Sequence, residues 1–283
     1  PLRAREGGTL VREGQTEGSV DLMNIAGMKP AAVICEIMKD DGSMARVPDL
    51  LGFCKEHDIK ITSVARIIEY RLKRESTVKR IQAVDLPTDY GEFRLFGYAS
   101  PGSTEPHLAL CTGGIGEHDE NGNVTEQEDP ILIRVHSECM TGDLFHSQRC
   151  ECGFQLITAM KMIQKEGRGA LIYLRQEGRG IGLANKLHAY KLQEEGYDTV
   201  DANIQLGFLA DKRDYGLGAQ ICRDLGLKNV RILTNNPKKT DRLKYYGITV
   251  VEQVPLIAKP GEYNRDYLRT KKRRLGHLLD EDL

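Results

Sequence analysis

Residues 130–153 read PILIRVHSECMTGDLFHSQRCECG and combine an apolar run with three closely spaced cysteines. The run Pro130–Val135 predicts a buried strand, and a helix is expected to begin near Phe154, directly after the last cysteine. Cys139, Cys150 and Cys152 would then lie together on the loop between a strand and a helix. Because strands that alternate with helices are typical of α/β proteins, this stretch points to that class.

The three cysteines are suitable ligands for zinc. A catalytic zinc site takes three protein ligands and leaves the fourth position for water, and that water ionises near neutral pH to become a nucleophile. The helix N-terminus that follows Cys152 would help to keep the thiols deprotonated. Two other interpretations stay open on spacing alone. One is a structural zinc completed by His136 or His146, and the other is a set of iron–sulfur ligands.

The composition limits the partners and the compartment. Lys and Arg (40) nearly balance Asp and Glu (41), which gives no reason to expect a nucleic acid or a membrane as a partner. No run approaches the roughly 18 apolar residues of a membrane span, and no signal-peptide pattern opens the chain, so a cytoplasmic protein is expected. The seven cysteines are sparse and odd in number, which favours reduced thiols. Cys35, Cys54, Cys111 and Cys222 lie in apolar stretches and are expected to be buried.

The 283 residues are enough for two domains. In the first, apolar runs predict strands at 31–37 and 59–64, and helical spacing predicts helices at 47–57 and 64–72. The charged stretch 71–80 is interpreted as a solvated linker. The domains are therefore placed at 1–74 and 75–283.

The second domain is predicted to be α/β (α+β) with a mixed sheet. Strands are expected at 92–98, 107–111, 130–135, 170–175, 230–234 and 248–254, and helices at 154–166, 183–195, 217–225 and 239–246.

Three turns of this domain carry charged or glycine residues. Glu177-Gly-Arg-Gly-Ile-Gly182 and Thr234-Asn-Asn-Pro-Lys-Lys-Thr240 each follow a predicted strand, where α/β proteins bind phosphates, although glycine-rich turns also occur for steric reasons alone. For Asp211-Lys-Arg-Asp214, taken alone, an exposed charged loop is the preferred interpretation.

Together these features resemble GTP cyclohydrolase II of riboflavin biosynthesis. The resemblance covers about residues 78–279 and rests on the run 134–153, Glu177–Arg179, Tyr190, Asp198–Val200, Asn203, Gln205–Gly207, Asp211–Asp214, Thr234–Lys239 and Gly276–Leu278. It implies that GTP is hydrolysed to 2,5-diamino-6-(5-phosphoribosylamino)pyrimidin-4(3H)-one, with C8 lost as formate and with release of pyrophosphate. It also implies a homodimer.

The resemblance assigns roles to particular residues. The zinc ligands would be Cys139, Cys150 and Cys152, and magnesium would arrive with the nucleotide. Asp211 would accept a proton, Tyr190 would position substrate or water, and Arg213 would act as a nucleophile toward the α-phosphorus or as a cation that stabilises the transition state. The GTP contacts would be Arg134, Val135, His136, Ser137, Glu138, Gln155, Glu177, Gly178, Arg179, Thr199, Thr234 and Lys239.

The first seventy residues resemble the C-terminal part of 3,4-dihydroxy-2-butanone-4-phosphate synthase, a magnesium-dependent lyase. The matching segments are Arg3–Gly8, Arg12–Glu17, Val20–Leu22, Lys29–Pro30, Ile34–Glu36 and Asp41–Arg46. The family's sugar-phosphate loop falls on Arg12, Glu13, Gly14, Gln15 and Thr16, and an essential carboxylate falls on Glu36.

Two departures from the synthase pattern predict an inactive remnant. Gln15 stands where the synthase family has a histidine ligand for magnesium, and an amide is a poor substitute for an imidazole at a metal. The chain starts with Pro1, so an upstream segment that carries the family's acidic metal-binding loop is expected to be missing.

Two other functions are alternatives to a GTP-hydrolysing enzyme. One is a catalytically silent scaffold that binds zinc and nucleotide. The other is a structural zinc module that binds nucleic acid, which the balanced charge disfavours. The basic cluster Lys271–Arg274 is interpreted as a solvated helix face rather than as part of a binding site.

Overall fold

The computed structural model describes residues 1–101, 103–208, 213, 216–258 and 260–279. The chain divides into two compact units, Pro1–Ser76 and Thr77–Leu283. Within the described helices, none is both long and apolar enough to cross a membrane.

The first unit contains a short 3₁₀ turn, Gly8–Leu10, and three helices, α1 (Gln15–Ile25), α2 (Val47–Glu56) and α3 (Val64–Arg74). The buried carboxylate of Asp21 connects the 3₁₀ turn, α1 and α3, since it accepts hydrogen bonds from the backbone N–H of Thr9 and from Arg71 Nη1, at 2.8 and 2.9 Å. Both predicted helices of this region are therefore present.

The two strands predicted in this unit are wrong. Residues 31–37 and 59–63 have no regular secondary structure, and Val33 is fully exposed. A strand needs a neighbour for its backbone hydrogen bonds, and an isolated bridge between Met38 and Met44 is the single β pairing described in Pro1–Ser76. The charged stretch 71–80 is only partly irregular, because residues 71–74 end α3 and residues 79–80 begin the first strand of the second unit, so residues 75–78 connect the two units.

The second unit is built on one sheet of seven strands. They are β1 (Lys79–Thr88), β2 (Gly91–Ala99), β3 (His107–Thr112), β4 (Ile131–Ser137), β5 (Gly169–Leu174), β6 (Asn229–Leu233) and β7 (Thr249–Val254), in the order β1-β2-β3-β5-β4-β6-β7. The pairs from β1 to β5 are antiparallel, whereas β5, β4, β6 and β7 run parallel. The predicted mixed α/β fold is confirmed.

Eight helices are described in the second unit: α4 (Met140–Asp143), α5 (Cys152–Glu166), α6 (Glu177–Gly180), α7 (Gly182–Glu194), α8 (Thr199–Gln205), α9 (Gly216–Asp224), α10 (Pro237–Tyr245) and α11 (Arg265–Leu275). Alternate residues of the central strands enter two separate cores. Ile133 and Ile172 pack in the core that includes Ile221 of α9, whereas Leu132 and Leu171 pack in the core that includes Ile163 of α5. The sheet is therefore covered on both faces.

The cysteines outside the loop 139–152 differ in exposure. Cys111 and Cys222 are buried, as expected, but Cys35 is exposed and Cys54 is half-buried. The expectation was wrong for Cys35 because segment 31–37 has no strand partner, and Cys54 is not fully buried because it lies on α2, a helix in which no residue is buried.

Candidate functional site

The parallel strands β4, β5 and β6 end at the same edge of the sheet, and a cavity opens there. The side chains that line it include most of the residues predicted from the sequence: Arg134, His136, Ser137, Glu138, Cys139, Cys150, Cys152, Gln155, Glu177, Gly178, Arg179, Tyr190, Thr199, Arg213, Thr234 and Lys239. The fold therefore brings segments distant in sequence to one place.

Among the described GTP contacts predicted from the sequence, Val135 does not line the cavity with its side chain. Val135 is buried in the core on the opposite face of β4, because side chains alternate along a strand, and only its backbone carbonyl turns toward the site, where it accepts a hydrogen bond from Lys239 Nζ at 2.8 Å. Asp211 lies outside the described residues.

The three predicted cysteines form a compact cluster. Cys139 follows β4, while Cys150 and Cys152 lie at the start of α5, and their sulfur atoms all fall within 4.8 Å of one another. Among the described residues, no histidine or carboxylate joins this group of potential metal ligands. Hydrogen bonds from Cys150 and Cys152, with help from the Lys186 ammonium, hold the pKa of Cys139 well below its usual range. Three cysteine sulfurs, one of them held as a thiolate, fit zinc.

Gly142 allows the sulfur atoms to approach one another. A Cβ atom at this position would lie 2.8 Å from Cys150 Sγ and 3.2 Å from Cys139 Sγ. Gly142→Ala is therefore expected to displace the sulfurs and to lower zinc affinity by about tenfold or more, measured by competition with a chelator. Gly52→Ala is the matched control, since a Cβ there meets no atom within 4 Å. Equal zinc affinity of the two variants would contradict this prediction.

Asp143 fixes the turn that carries Cys139. Its carboxylate accepts hydrogen bonds from the Cys139 backbone N–H and the Tyr173 hydroxyl, both at 2.9 Å, and lies 3.0 Å from His136 Nε2. The His136 ring also stacks on Tyr173, with 5.5 Å between the ring centroids. Since Nε2 is engaged by a carboxylate, His136 is not placed as a fourth metal ligand through that atom. Sequence reasoning missed Asp143 and Tyr173.

Glu177 joins the glycine-rich turn to the cysteine loop. Its carboxylate accepts hydrogen bonds from Met140 N at 2.6 Å, Gly178 N at 2.7 Å and Lys186 Nζ at 2.8 Å. The turn is tight because Gly178 and Arg179 both have left-handed backbone angles, with φ of 62°. Glu177 therefore holds the loop in place in addition to lining the cavity.

Tyr190 lies beside the cysteine cluster on α7. Its hydroxyl is 3.1 Å from Thr141 Oγ1, and the guanidinium of Arg149 sits 4.9 Å from the centre of its ring. Burial raises the pKa of the Tyr190 hydroxyl, so the group stays protonated at neutral pH. A protonated hydroxyl at this position can donate a hydrogen bond to a bound molecule.

The cavity lining also contains a group of cationic side chains. Burial lowers the pKa of His277 to about 3, and the charges of Lys271, Lys239, Arg179 and Arg213 act in the same direction. Four cations close enough to act on one imidazole form a site for a multiply charged anion. The tail that carries His277 is docked by a hydrogen bond from Leu278 N to the Asn235 carbonyl at 2.8 Å.

Several polar atoms of the cavity wall have no hydrogen-bond partner among the described residues. These buried atoms are Arg134 Nε, His136 Nδ1, Ser137 Oγ and His277 Nδ1. Other polar groups nearby are paired: Arg134 Nη2 donates a hydrogen bond to Gln155 Oε1 at 2.6 Å, and Arg175 forms an ion pair with Glu138 at 2.9 Å. Because buried polar atoms are normally paired, these four indicate a polar ligand.

Lys271 corrects the interpretation of the basic cluster as a solvated face. The Lys271 side chain is buried, and its Nζ lies 2.7 Å from Glu151 Oε1, between the metal-site cysteines Cys150 and Cys152. The sequence interpretation failed because Glu151 is 120 residues away in the chain and no local pattern reveals a partner that distant.

Lys271→Met is expected to destabilise the fold by about 3 kcal/mol, because it leaves the carboxylate of Glu151 buried without its partner. Denaturant unfolding measures this change. Arg273→Met, which removes an exposed cation from the same helix, is the control and is expected to change stability little. If both variants lost a similar amount of unfolding free energy, the buried Lys271–Glu151 pair would not contribute more to stability than an exposed cation.

An α/β sheet whose parallel strands end at a thiol cluster and a group of cations is suited to bind a metal ion and a phosphorylated ligand. The sequence model of the family described as GTP cyclohydrolase II matches residues 79–255, and that of 3,4-dihydroxy-2-butanone 4-phosphate synthase matches residues 1–70. The chain belongs to the GTP cyclohydrolase II family and carries a second, synthase-related segment at its start.

Similar proteins carry names of the same pathway. The chain is 53% identical over 280 residues to the riboflavin biosynthesis protein RibBA of Bacillus cereus, covering 99% of this chain and 68% of that protein. It is 52% identical over 280 residues to RibBA of Aquifex aeolicus, covering 99% and 66%. The chain thus spans about two thirds of the length of these relatives.

One similar solved structure is that of a two-domain protein. RibBX of A. baumannii, a two-domain 3,4-dihydroxy-2-butanone 4-phosphate synthase, matches with a TM-score of 0.56 and 31% sequence identity. The match covers 90% of this chain and 63% of that one. With the family model, these likenesses identify an enzyme of riboflavin biosynthesis with a GTP cyclohydrolase II domain.

Proposed function

We propose that this chain hydrolyses GTP to 2,5-diamino-6-(5-phosphoribosylamino)pyrimidin-4(3H)-one, with release of formate and pyrophosphate. One observation carries the proposal: a single cavity contains both the thiol cluster of Cys139, Cys150 and Cys152 and the cationic side chains around His277. A purine ring near the sulfurs with its triphosphate among the cations would span that cavity from end to end. Magnesium is expected to enter with the triphosphate.

The thiol cluster would hold one zinc ion per chain, which supplies an activated water for attack on the ring carbon C8. The chain's own residues then bind and orient the substrate. Arg134, His136 and Ser137 offer unpaired polar atoms along the wall, and Glu138, Gln155 and Thr199 line the same wall. The Tyr190 hydroxyl lies 3.1 Å from Thr141 Oγ1 of the cysteine loop and would orient water or the opening ring.

Other residues of the cavity would bind the phosphates. The cavity is lined by Arg179, Thr234 and Lys239, which would hold the triphosphate. Arg213 would stabilise charge that develops at the α-phosphorus, because an arginine stays protonated and acts more readily as a cation than as a nucleophile. Asp211 keeps its role as a proposed proton acceptor from the family resemblance.

The experiment that tests the proposal is incubation of the purified chain with GTP and magnesium. Formate and the ultraviolet change of ring opening are expected to appear together. If neither appears while one zinc per chain is bound, the protein is a silent scaffold and the proposal fails. A homodimer in the cytoplasm belongs to the same proposal on family resemblance, and the molar mass in solution tests the dimer.

We further infer that the two parts of the chain are separate functional domains, 1–74 and 75–283, and that the first lacks synthase activity. Gln15 is the first residue of α1, preceded by the loop that contains Arg12, Glu13 and Gly14, and followed by Thr16. Arg12 Nη1 lies 3.4 Å from Glu17, and Glu36 is exposed in an irregular segment. The comparisons do not support this loss of activity, since residues 1–70 match the synthase family.

Ribulose 5-phosphate turnover decides the question of the first domain. No turnover is expected from the chain or from a longer protein that contains it, because Gln15 replaces the imidazole at the metal. Gln15→His in the longer protein is the matched variant and is expected to gain activity. Turnover by the unaltered protein would show that the glutamine does not silence the site.

A further inference from the structure

Lys186 is a buried cation beside the metal site with no role in the proposed reaction so far. It lies on α7, and its side chain is 10% exposed. Its Nζ is 3.1 Å from Cys139 Sγ and 2.8 Å from Glu177 Oε1. An ammonium has three N–H donors, so it can serve the sulfur and the carboxylate together.

The charge of the site explains why a cation is needed there. Three thiolates around a divalent metal leave a net negative charge, and Asp143 and Glu177 add two carboxylates close to Cys139. A buried negative charge is costly unless a cation or a donor compensates it. Among the described contacts of Cys139 Sγ, Lys186 Nζ is the one cationic donor.

The position of Lys186 is fixed from two sides. Glu177 accepts its hydrogen bond and is itself held by the backbone N–H groups of Met140 and Gly178. Lys186 Nζ also lies 5.7 Å from the ring centre of Tyr190, one turn further along α7. The ammonium therefore stays directed at the sulfur of Cys139.

We propose that Lys186 is a positioning residue of the metal centre, which acts through Cys139 by donating an N–H···S hydrogen bond to the ligating thiolate. The bond withdraws electron density from the sulfur, so the metal keeps more of its positive charge for the bound water. This inference rests on the proposed metal site. Lys186 would not contact the metal itself, and its replacement is expected to weaken metal binding by about tenfold or more.

Cobalt(II) bound to the cysteine cluster tests this role without any turnover. Removing a donor raises the energy of the sulfur lone pairs, so Lys186→Met is expected to shift the thiolate-to-cobalt charge-transfer band to longer wavelength. Lys186→Arg keeps a cationic N–H donor and is expected to return the band close to its original position. Lys186→Gln serves if the methionine variant does not fold, because its neutral amide predicts a smaller shift in the same direction.

The matched control is Lys191→Met, which removes an exposed cation from the same helix and leaves the band in place. Chelator competition for zinc is the second readout, with a loss of about tenfold expected for Lys186→Met. Identical band positions in Lys186→Met and the unaltered chain overturn the role of Lys186, even if zinc affinity falls. The absence of any thiolate-to-cobalt band in the unaltered chain overturns the metal site and this role with it.

Discussion

Cys150→Ser is expected to abolish formate release from GTP, with a loss of rate of about 10³-fold or more. Cys150 Sγ lies 3.7 Å from Cys139 Sγ, and the serine hydroxyl that replaces it stays protonated at neutral pH and is a poor zinc ligand. Two remaining thiols would not retain the ion. Formate assay and zinc content per chain measure the two consequences on the same sample.

The control for this prediction is Cys35→Ser. Cys35 is an exposed thiol of the first unit, and its removal is expected to change neither zinc content nor formate release. A Cys150→Ser protein that still opens the ring would show that the cysteine cluster does not hold the catalytic metal. The same conclusion would follow if its zinc content equalled that of the control.

Arg213→Ala is expected to slow pyrophosphate release by about 10³-fold, the loss typical of removing a cation that stabilises a phosphoryl transition state. Arg213 lines the cavity, and its charge reaches both Arg134 and His277. Because Arg213 is not one of the potential metal ligands, zinc content should stay unchanged. A pyrophosphate assay at saturating GTP measures the effect.

Arg94→Ala is the matched control for Arg213. Arg94 is paired with the exposed Asp85 at 2.7 Å and does not line the cavity. If Arg213→Ala released pyrophosphate as fast as Arg94→Ala, Arg213 would have no role in the reaction. If Arg213→Ala lost its zinc as well as its pyrophosphate release, Arg213 would also be needed for metal binding.

The sequence predicted the elements that position the site because their signals are local. Apolar runs predicted β4, β5 and β6, and helical spacing predicted α5 and α7, so that the cysteine loop and the glycine-rich turn could be placed between strand and helix. β1 and α8 were missed. β1 is largely exposed and has no clear apolar alternation, and α8 spans only Thr199–Gln205, too short for a periodic signal.

The residues that escaped prediction act through partners distant in the chain. Asp143 holds Tyr173, Lys186 reaches Cys139, and Lys271 pairs with Glu151 across 120 residues. No spacing rule connects such positions, because only the folded sheet brings them together. The strands predicted at 31–37 and 59–64 failed for a related reason, since an apolar run becomes a strand only where another strand lies beside it.

The central claim is that the cysteine cluster and the cationic pocket act together on GTP to remove C8. GTP labelled with ¹³C at C8 tests it most directly when the zinc-loaded chain is followed by NMR in the presence of magnesium. The expected result is transfer of the label to formate, one formate for each GTP consumed, with an equal amount of pyrophosphate. Label that stays in the purine ring while zinc and GTP are both bound would contradict the claim.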